Sequence, residues 1–279
     1  MPSDYRRWES PRTRDAKRFL DRAARLGYVA KGVIYCTIGA LAFMAAGGAR
    51  DGKLTTQKGA LEAIVGHPIG FGLVAIVAAG LAGYAVWQLA HAFLDRDPHG
   101  SKGVRWGYRL GYAVTGILHG ALAIHAVGLL VGSRVAGDEE ARGWIARLLA
   151  IDPAGRWLVG IGGAVLGAFA AREIFKALSD DVVENLDLRR VHPPARQWIR
   201  RFGRFGRTAR GVVLSLVAVA LVFSAVHANP YETKDFGDAL STIQTWTFGG
   251  IILALVAIGL VAYGLFEMIE ARFTIVRVA

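Results

Sequence analysis

Six polar residues sit just inside the ends of long apolar runs, and their placement is the first hint of chemistry. Lys31, Thr115 and Arg210 open three such runs, and Gln88, Glu173 and Glu267 lie near the close of three others. A charge held in hydrocarbon is costly, so residues of this kind pair with one another or mark a site for an ion, a proton or a headgroup. At similar depth they are expected to form a ring. In it Lys31 faces Gln88, Thr115 faces Glu173 and Arg210 faces Glu267, or the same pairs are displaced by one step. Such a ring clamps helices and fixes their register. The alternative is a polar vestibule open to a small ligand.

Other reactive groups are sparse. His119 and His125 are six residues apart, which on a helix is roughly 240° of rotation, so they do not share a face. His67 and His227 lie at the far ends of other runs, and Tyr35 and Leu214 occupy the positions that match His119. No metal, haem or other cofactor is therefore expected. Cys36 is the sole cysteine, too few for an internal disulfide, and reads as a small buried apolar residue. There is no His-Glu-x-x-His, no Gly-x-Ser-x-Gly and no phosphate loop. No Asp lies in an apolar run, so an intramembrane carboxylate pair is missing and no enzyme is expected.

The elements that carry these residues are spans. Of 279 residues 53% are hydrophobic, and residues 68–94, 110–133, 211–231 and 239–266 hold no charge. A helix of roughly 20 apolar residues crosses the hydrocarbon core. Residues 32–49 supply a fifth span, and 157–171, extended by Ile174 to Leu178 with Arg172 and Lys176 snorkelling, supply a sixth. The glycine total of 35 suits close helix approach in lipid, and Gly116/Gly120, Gly128/Gly132 and Gly163/Gly167 have the four-residue contact spacing. The net charge of +11 is not spread evenly. With both termini on one side, that side carries 25 of the 33 Lys and Arg, so it is expected to be cytoplasmic. The basic fringe fits anionic headgroups and argues against nucleic acid. No cleavable signal is evident in the charged first 25 residues.

The spans repeat. Arg25, Gly27 and Gly32 recur as Arg109, Gly111 and Gly116, and again as Arg204, Gly206 and Gly211. In the second helices Tyr84, Phe169 and Tyr263 correspond, each followed four residues later by Gln88, Glu173 or Glu267, which keeps them on one face. The chain thus divides into a basic segment 1–24, hairpins 25–95 and 96–178, a connector 179–203, a hairpin 204–273 and a tail 274–279. The expected fold class is all-α and membrane-spanning, with three hairpins in the same orientation; a pseudo-threefold arrangement is the simplest, and an open row of hairpins is the alternative. Residues 59–65, 141–150 and 238–246 read as short amphipathic helices at the outer interface, with Trp144 and Trp246 as anchors. Val191-His192-Pro193-Pro194 breaks any helix running through the connector.

The Arg-x-Gly-Tyr-x-x-(Lys/Arg)-Gly opening, together with Gly80-Leu81-Ala82-Gly83-Tyr84 and Gly259-Leu260-Val261-Ala262-Tyr263, resembles a bacterial membrane family catalogued as domain of unknown function, number 1206. The resemblance implies six helices in three repeats over about residues 20–273 and carries no established activity. The middle unit departs from the pattern: Thr115 replaces the basic residue, and Val165 and Phe169 replace Gly and Tyr. The expected protein is a structural or binding membrane protein that associates with lipids, a membrane partner or a second copy. The alternative is a small-solute or ion channel or transporter with a polar cytoplasmic vestibule.

Overall fold

The computed structural model describes residues 11–49, 52–94, 102–133, 138–151, 153–183, 186–189 and 191–274. The long helices are α1 (Pro11–Ala46), α3 (Gly70–Leu94), α4 (Lys102–Leu130), α6 (Ala154–Leu178), α7 (Pro193–His227) and α9 (Gly249–Phe273). Each is long and apolar enough to cross a bilayer. Three shorter helices, α2 (Gln57–Val65), α5 (Asp138–Leu149) and α8 (Phe236–Gln244), fall between the members of each pair. The rim where α1 begins and α9 ends is called the basal rim. Residues 11–24 of the N-terminal segment belong to α1, whereas residues 1–10 and 275–279 lie outside the described residues.

Neighbouring helices run in the order α4, α3, α1, α9, α7, α6, with five packed seams. The three most extensive seams join the first helix of one repeat to the second helix of the repeat before it: α1 with α9, α4 with α3, α7 with α6. The second glycine of the repeated motif explains this. A Cβ on Gly32 would lie 2.7 Å from the Gly264 carbonyl, one on Gly116 3.2 Å from that of Ala85, and one on Gly211 3.3 Å from that of Ala170. Those three carbonyls are equivalent positions in the repeat. A missing side chain lets the backbones touch, which is how helices associate where lipid is as apolar as leucine. Of the four-residue glycine pairs, Gly116/Gly120 lies on the α3 seam and Gly163/Gly167 on the α7 seam.

The first glycine of the motif serves the seam within a repeat. Gly27 abuts the Tyr84 side chain and Gly206 the backbone of Tyr263, closing α1 on α3 and α7 on α9. The middle repeat differs from the expected hairpin: α4 and α6 make almost no contact with each other. Gly111 has nothing within reach of a Cβ. His119 on α4 packs edge-on against Tyr84 of α3, and the Arg210 guanidinium covers the Phe169 ring of α6. The spans form a row of hairpins with α4 and α6 at its two ends, and the contact that would join those two helices is left open.

The cause is legible in side-chain size. In the closed seams Gly80 meets Ala30 and Gly259 meets Ala209. The matching pair in the middle repeat is Val165 and Val114. Two β-branched residues thus stand at the positions where the closed seams have Gly and Ala, whose small size lets backbones meet. Ile34 and Val213 are 1% and 0% exposed, and their counterpart Leu118 is 62% exposed.

The short helices correct a second expectation. They were expected to lie at the outer interface, but α2 and α8 fold back into the bundle. Gln57, at the start of α2, donates to the Tyr35 hydroxyl at 3.2 Å, and the Phe236 ring, at the start of α8, stands 6.1 Å from the Tyr35 ring. Tyr35 is eleven residues, or about 16 Å, from the distal end of α1. Each re-entrant helix is capped at its deep end: Thr56 accepts from the Gly59 amide, and Asp235 and Asp238 form a reciprocal capping box. Leu61, Leu240, Ile243, Leu253 and Leu260 have no exposed surface and fill the space between them. α5 packs on α6 and on the turn at Pro230–Glu232. Trp246 is exposed at the distal rim, and the Trp144 side chain lies outside the described residues.

The connector is more ordered than a break suggests. Pro193 and Pro194 begin α7 instead of interrupting a helix, since a first-turn proline loses no hydrogen bond. Val182, Leu186, Leu188 and Ile199 pack over Phe266, and Leu186 bridges to Thr274.

These contacts predict opposite outcomes at equivalent glycines. Gly27→Ala and Gly206→Ala are each expected to destabilise by about 1–3 kcal/mol, the range for overpacking. Gly111→Ala is expected to leave the midpoint unchanged or raise it. Thermal unfolding of the three purified variants in detergent measures the difference, and three equal losses would contradict the open seam.

Candidate functional site

The basal half of the bundle holds a connected layer of charge. Its first member is Lys31 on α1, whose ammonium lies 2.8 Å from Glu267 of α9. The Tyr263 hydroxyl donates to the same carboxylate. The Lys31 ammonium also lies 5.4 Å and 5.1 Å from the ring centres of Tyr28 and Tyr84. Aromatic faces attract a cation most strongly when water is excluded.

The second pair is Arg210 of α7 with Glu173 of α6, at 3.4 Å. Arg210 Nε donates to the Tyr35 hydroxyl at 3.1 Å, and its guanidinium covers the rings of Tyr35, Phe169 and Tyr263. Arg207, one turn nearer the rim, binds Glu173 at 3.3 Å and Glu270 at 2.9 Å. A planar fork of donors suits this bridging role better than a lysine would.

Both ion pairs follow the displaced register. Lys31 meets the carboxylate of the third repeat, and Arg210 meets that of the second. At the third such position the residues turn to their own helices. Gln88 donates to Tyr84 at 3.3 Å and Thr115 to the Gly111 carbonyl at 2.8 Å. Thr115 therefore does not face Glu173, nor does Lys31 face Gln88.

The repeated arginine has one task in all three units. Arg25 donates to the Ala271 and Arg272 carbonyls at the end of α9. Arg109 donates to that of Phe93 at the end of α3, and Arg204 to that of Leu178 at the end of α6. The last carbonyls of a helix have no partner of their own, and a cation there complements the dipole for roughly 0.3–1 kcal/mol. Each first helix thus ties off the second helix of the preceding repeat at its rim.

Four members of the layer escaped the motif search. Arg207 replaces Tyr28 and Tyr112 at its repeat position, Glu270 replaces His91 and Lys176, and Tyr35 matches His119. Tyr28 belongs to the repeated motif, and its place in the layer comes from the Lys31 ammonium over its ring. The available signal was helical spacing: Arg207 lies three residues before Arg210 and Glu270 three after Glu267, so each shares a face with a residue already singled out.

The histidines stay apart. His119 is held on the Thr115 carbonyl at 2.8 Å and stacks on Tyr84, His125 is buried 3.7 Å from Glu62, and His227 binds Glu232. Among the described residues no group of three or more His, Cys, Asp or Glu is arranged to hold a metal. The half-buried Cys36 lies in the α1 seam with α9, 3.7 Å from the Val261 carbonyl.

Lys31, Arg207 and Arg210 are balanced by Glu173, Glu267 and Glu270, so the layer is neutral. Removing one member of a buried pair leaves an uncompensated charge at about 3–5 kcal/mol. Lys31→Met and Glu267→Gln are each expected to lower the melting midpoint in detergent, and the double variant to recover most of the loss. Additive losses in the double variant would show that the pair is not coupled.

Comparison with known proteins agrees with the triplication. Residues 26–95, 110–180 and 205–274 each match the family described as Domain of Unknown Function (DUF1206). The chain is 30% identical over 267 residues to an uncharacterized protein, YxxB, of Bacillus subtilis (strain 168), with 96% of each chain covered. No solved structure matches it. Three matched segments in register with three helix pairs leave one conclusion: the chain belongs to this family of triple-repeat membrane proteins of unknown function.

Proposed function

We propose that the protein is a non-catalytic, non-conducting component of the bacterial cytoplasmic membrane that acts by binding within the bilayer. The open seam between α4 and α6 carries this reading. Two equivalent seams are closed, and the third leaves Val114, Leu118, Val165 and Phe169 facing the bilayer. A protein that needed only a stable bundle would gain from closing it. The basal rim is taken as cytoplasmic with both termini inside, because 25 of 33 basic residues fall on that side. The polar layer clamps α1 to α9, α9 to α7 and α7 to α6.

One observation favours conduction instead. Polar contacts lead from Glu270 through Arg207, Glu173, Arg210 and Tyr35 to Gln57, about half-way across. Beyond the start of α2 a shallow cleft lined by Thr55, Thr56, Asp235, Asp238 and Ser241 approaches from the distal side. Two features weigh against a permeation route. Every carboxylate in the layer already has a cation partner, and apolar side chains without exposed surface fill the distal core.

Reconstitution in liposomes tests the reading. Fluxes of protons, potassium and small anions are expected to equal those of empty liposomes. A solute-selective leak that Glu173→Gln abolishes would overturn it in favour of transport.

A further inference from the structure

The open seam has a charge pattern that its closed counterparts lack. On the α6 side it presents Val165, Phe169 and Arg172, spaced so that they share one helix face. The same positions on α3 are Gly80, Tyr84 and Trp87, and on α9 Gly259, Tyr263 and Phe266. Trp87 stacks on Tyr28 and Tyr84, and Phe266 is fully buried over Gly203. Where two repeats put an aromatic that helps close the seam, the middle repeat puts an exposed cation.

Arg172 lies six residues from the basal end of α6, about 9 Å into the span. At that depth a long basic side chain reaches up to the phosphate level while its stem stays among acyl chains. Lys176 follows one turn nearer the rim. Glu173, the adjacent acid, is turned to α7, where Arg207 and Arg210 take it up. The seam is therefore apolar through the acyl region and cationic at its basal end.

That complementarity fits an amphiphile with an anionic head. A helix of a second copy would have to place an acid opposite Arg172. Neither exposed face of the middle repeat offers one, since the described side chains exposed on α4 and α6 include no carboxylate. We propose that the α4/α6 seam is an intramembrane site for an anionic phospholipid of the basal leaflet. One acyl chain lies between Val114 and Leu118 on one wall and Val165 and Phe169 on the other, and the phosphate rests on Arg172 with Lys176 nearby. The proposal rests on the reading of the open seam as the binding face and names its ligand class.

The test is native mass spectrometry of the full-length protein released from detergent, titrated with phosphatidylglycerol or with phosphatidylcholine of identical chains. Wild type is expected to retain phosphatidylglycerol preferentially. Arg172→Gln is expected to lower that retention about fivefold, towards the phosphatidylcholine level, and Arg172→Lys to keep most of it. Because Arg172 is exposed, neither variant is expected to lose folded yield. Val114→Ala with Val165→Gly restores the small pair found in the other seams, and is expected to close the seam and reduce retention of both lipids.

Equal retention of the two lipids by wild type, or no change in Arg172→Gln, would overturn the anionic-lipid proposal. The broader reading would still stand if the seam-closing variant loses lipid. Unchanged retention in the seam-closing variant would defeat both. A predominantly dimeric wild type that excludes lipid would assign the seam to a second copy and overturn the proposal.

Discussion

The architecture depends on one repeated contact: the first helix of each repeat pressed, glycine to carbonyl, against the second helix of the repeat before it. Gly32, Gly116 and Gly211 make the approach possible, and Arg25, Arg109 and Arg204 tie the same seams at the rim. Two of the three seams add an ion pair, Lys31 with Glu267 and Arg210 with Glu173. These interactions reinforce one another, because close backbones shorten the reach of the side chains and a fixed register brings opposite charges to one depth. In lipid, where apolar burial does not drive helices together, geometry of this kind supplies the association.

The contact within a repeat is the variable one. Where Gly and Ala meet it closes, and where the matching positions are Val165 and Val114 it stays open. The difference of a few methyl groups per seam redistributes exposure along two whole helices, α4 and α6, which are the least buried of the six spans. The unpaired third polar position follows the same logic. Without a charge at Thr115 or Gln88, no ion pair forms between these positions at the α3 seam with α4, and the one carboxylate of α6, Glu173, serves α7. The helices of the middle repeat are thus the two ends of the row and its least buried spans.

Much of this was legible in the sequence. Uncharged run lengths give six spans, and self-comparison gives three repeats. The depth of the six polar residues points to a paired layer in either of two registers; Lys31 with Glu267 and Arg210 with Glu173 pair, whereas Gln88 and Thr115 turn to their own helices. The arginine and glycine motif is legible as a repeat, but the seams it serves depend on contacts between repeats that a linear sequence does not give. Other features were hidden for physical reasons. A nine-residue amphipathic helix has the same pattern whether it lies on an interface or dips beneath it, so the burial of α2 and α8 depends on Tyr35, Gln57 and Phe236 meeting in space. Arg207 and Glu270 broke the repeat, and a search for repeated residues passes over exceptions. The substitutions at Val165 and Phe169 were visible, but their consequence required knowing that Val114 stands opposite.

The most direct measurement is oxidative cross-linking in native membranes of two equivalent cysteine pairs, each in a Cys36→Ser background. Ala23→Cys with Gly83→Cys spans the closed first repeat, where a Cβ on Gly83 would lie 3.1 Å from that of Ala23. Gly107→Cys with Ala168→Cys occupies the matching positions in the middle repeat, where Gly107 has nothing nearby. The account predicts a rapid disulfide in the first pair and none in the second. Equal cross-linking of both would mean that α4 and α6 close like the other hairpins, and would contradict it.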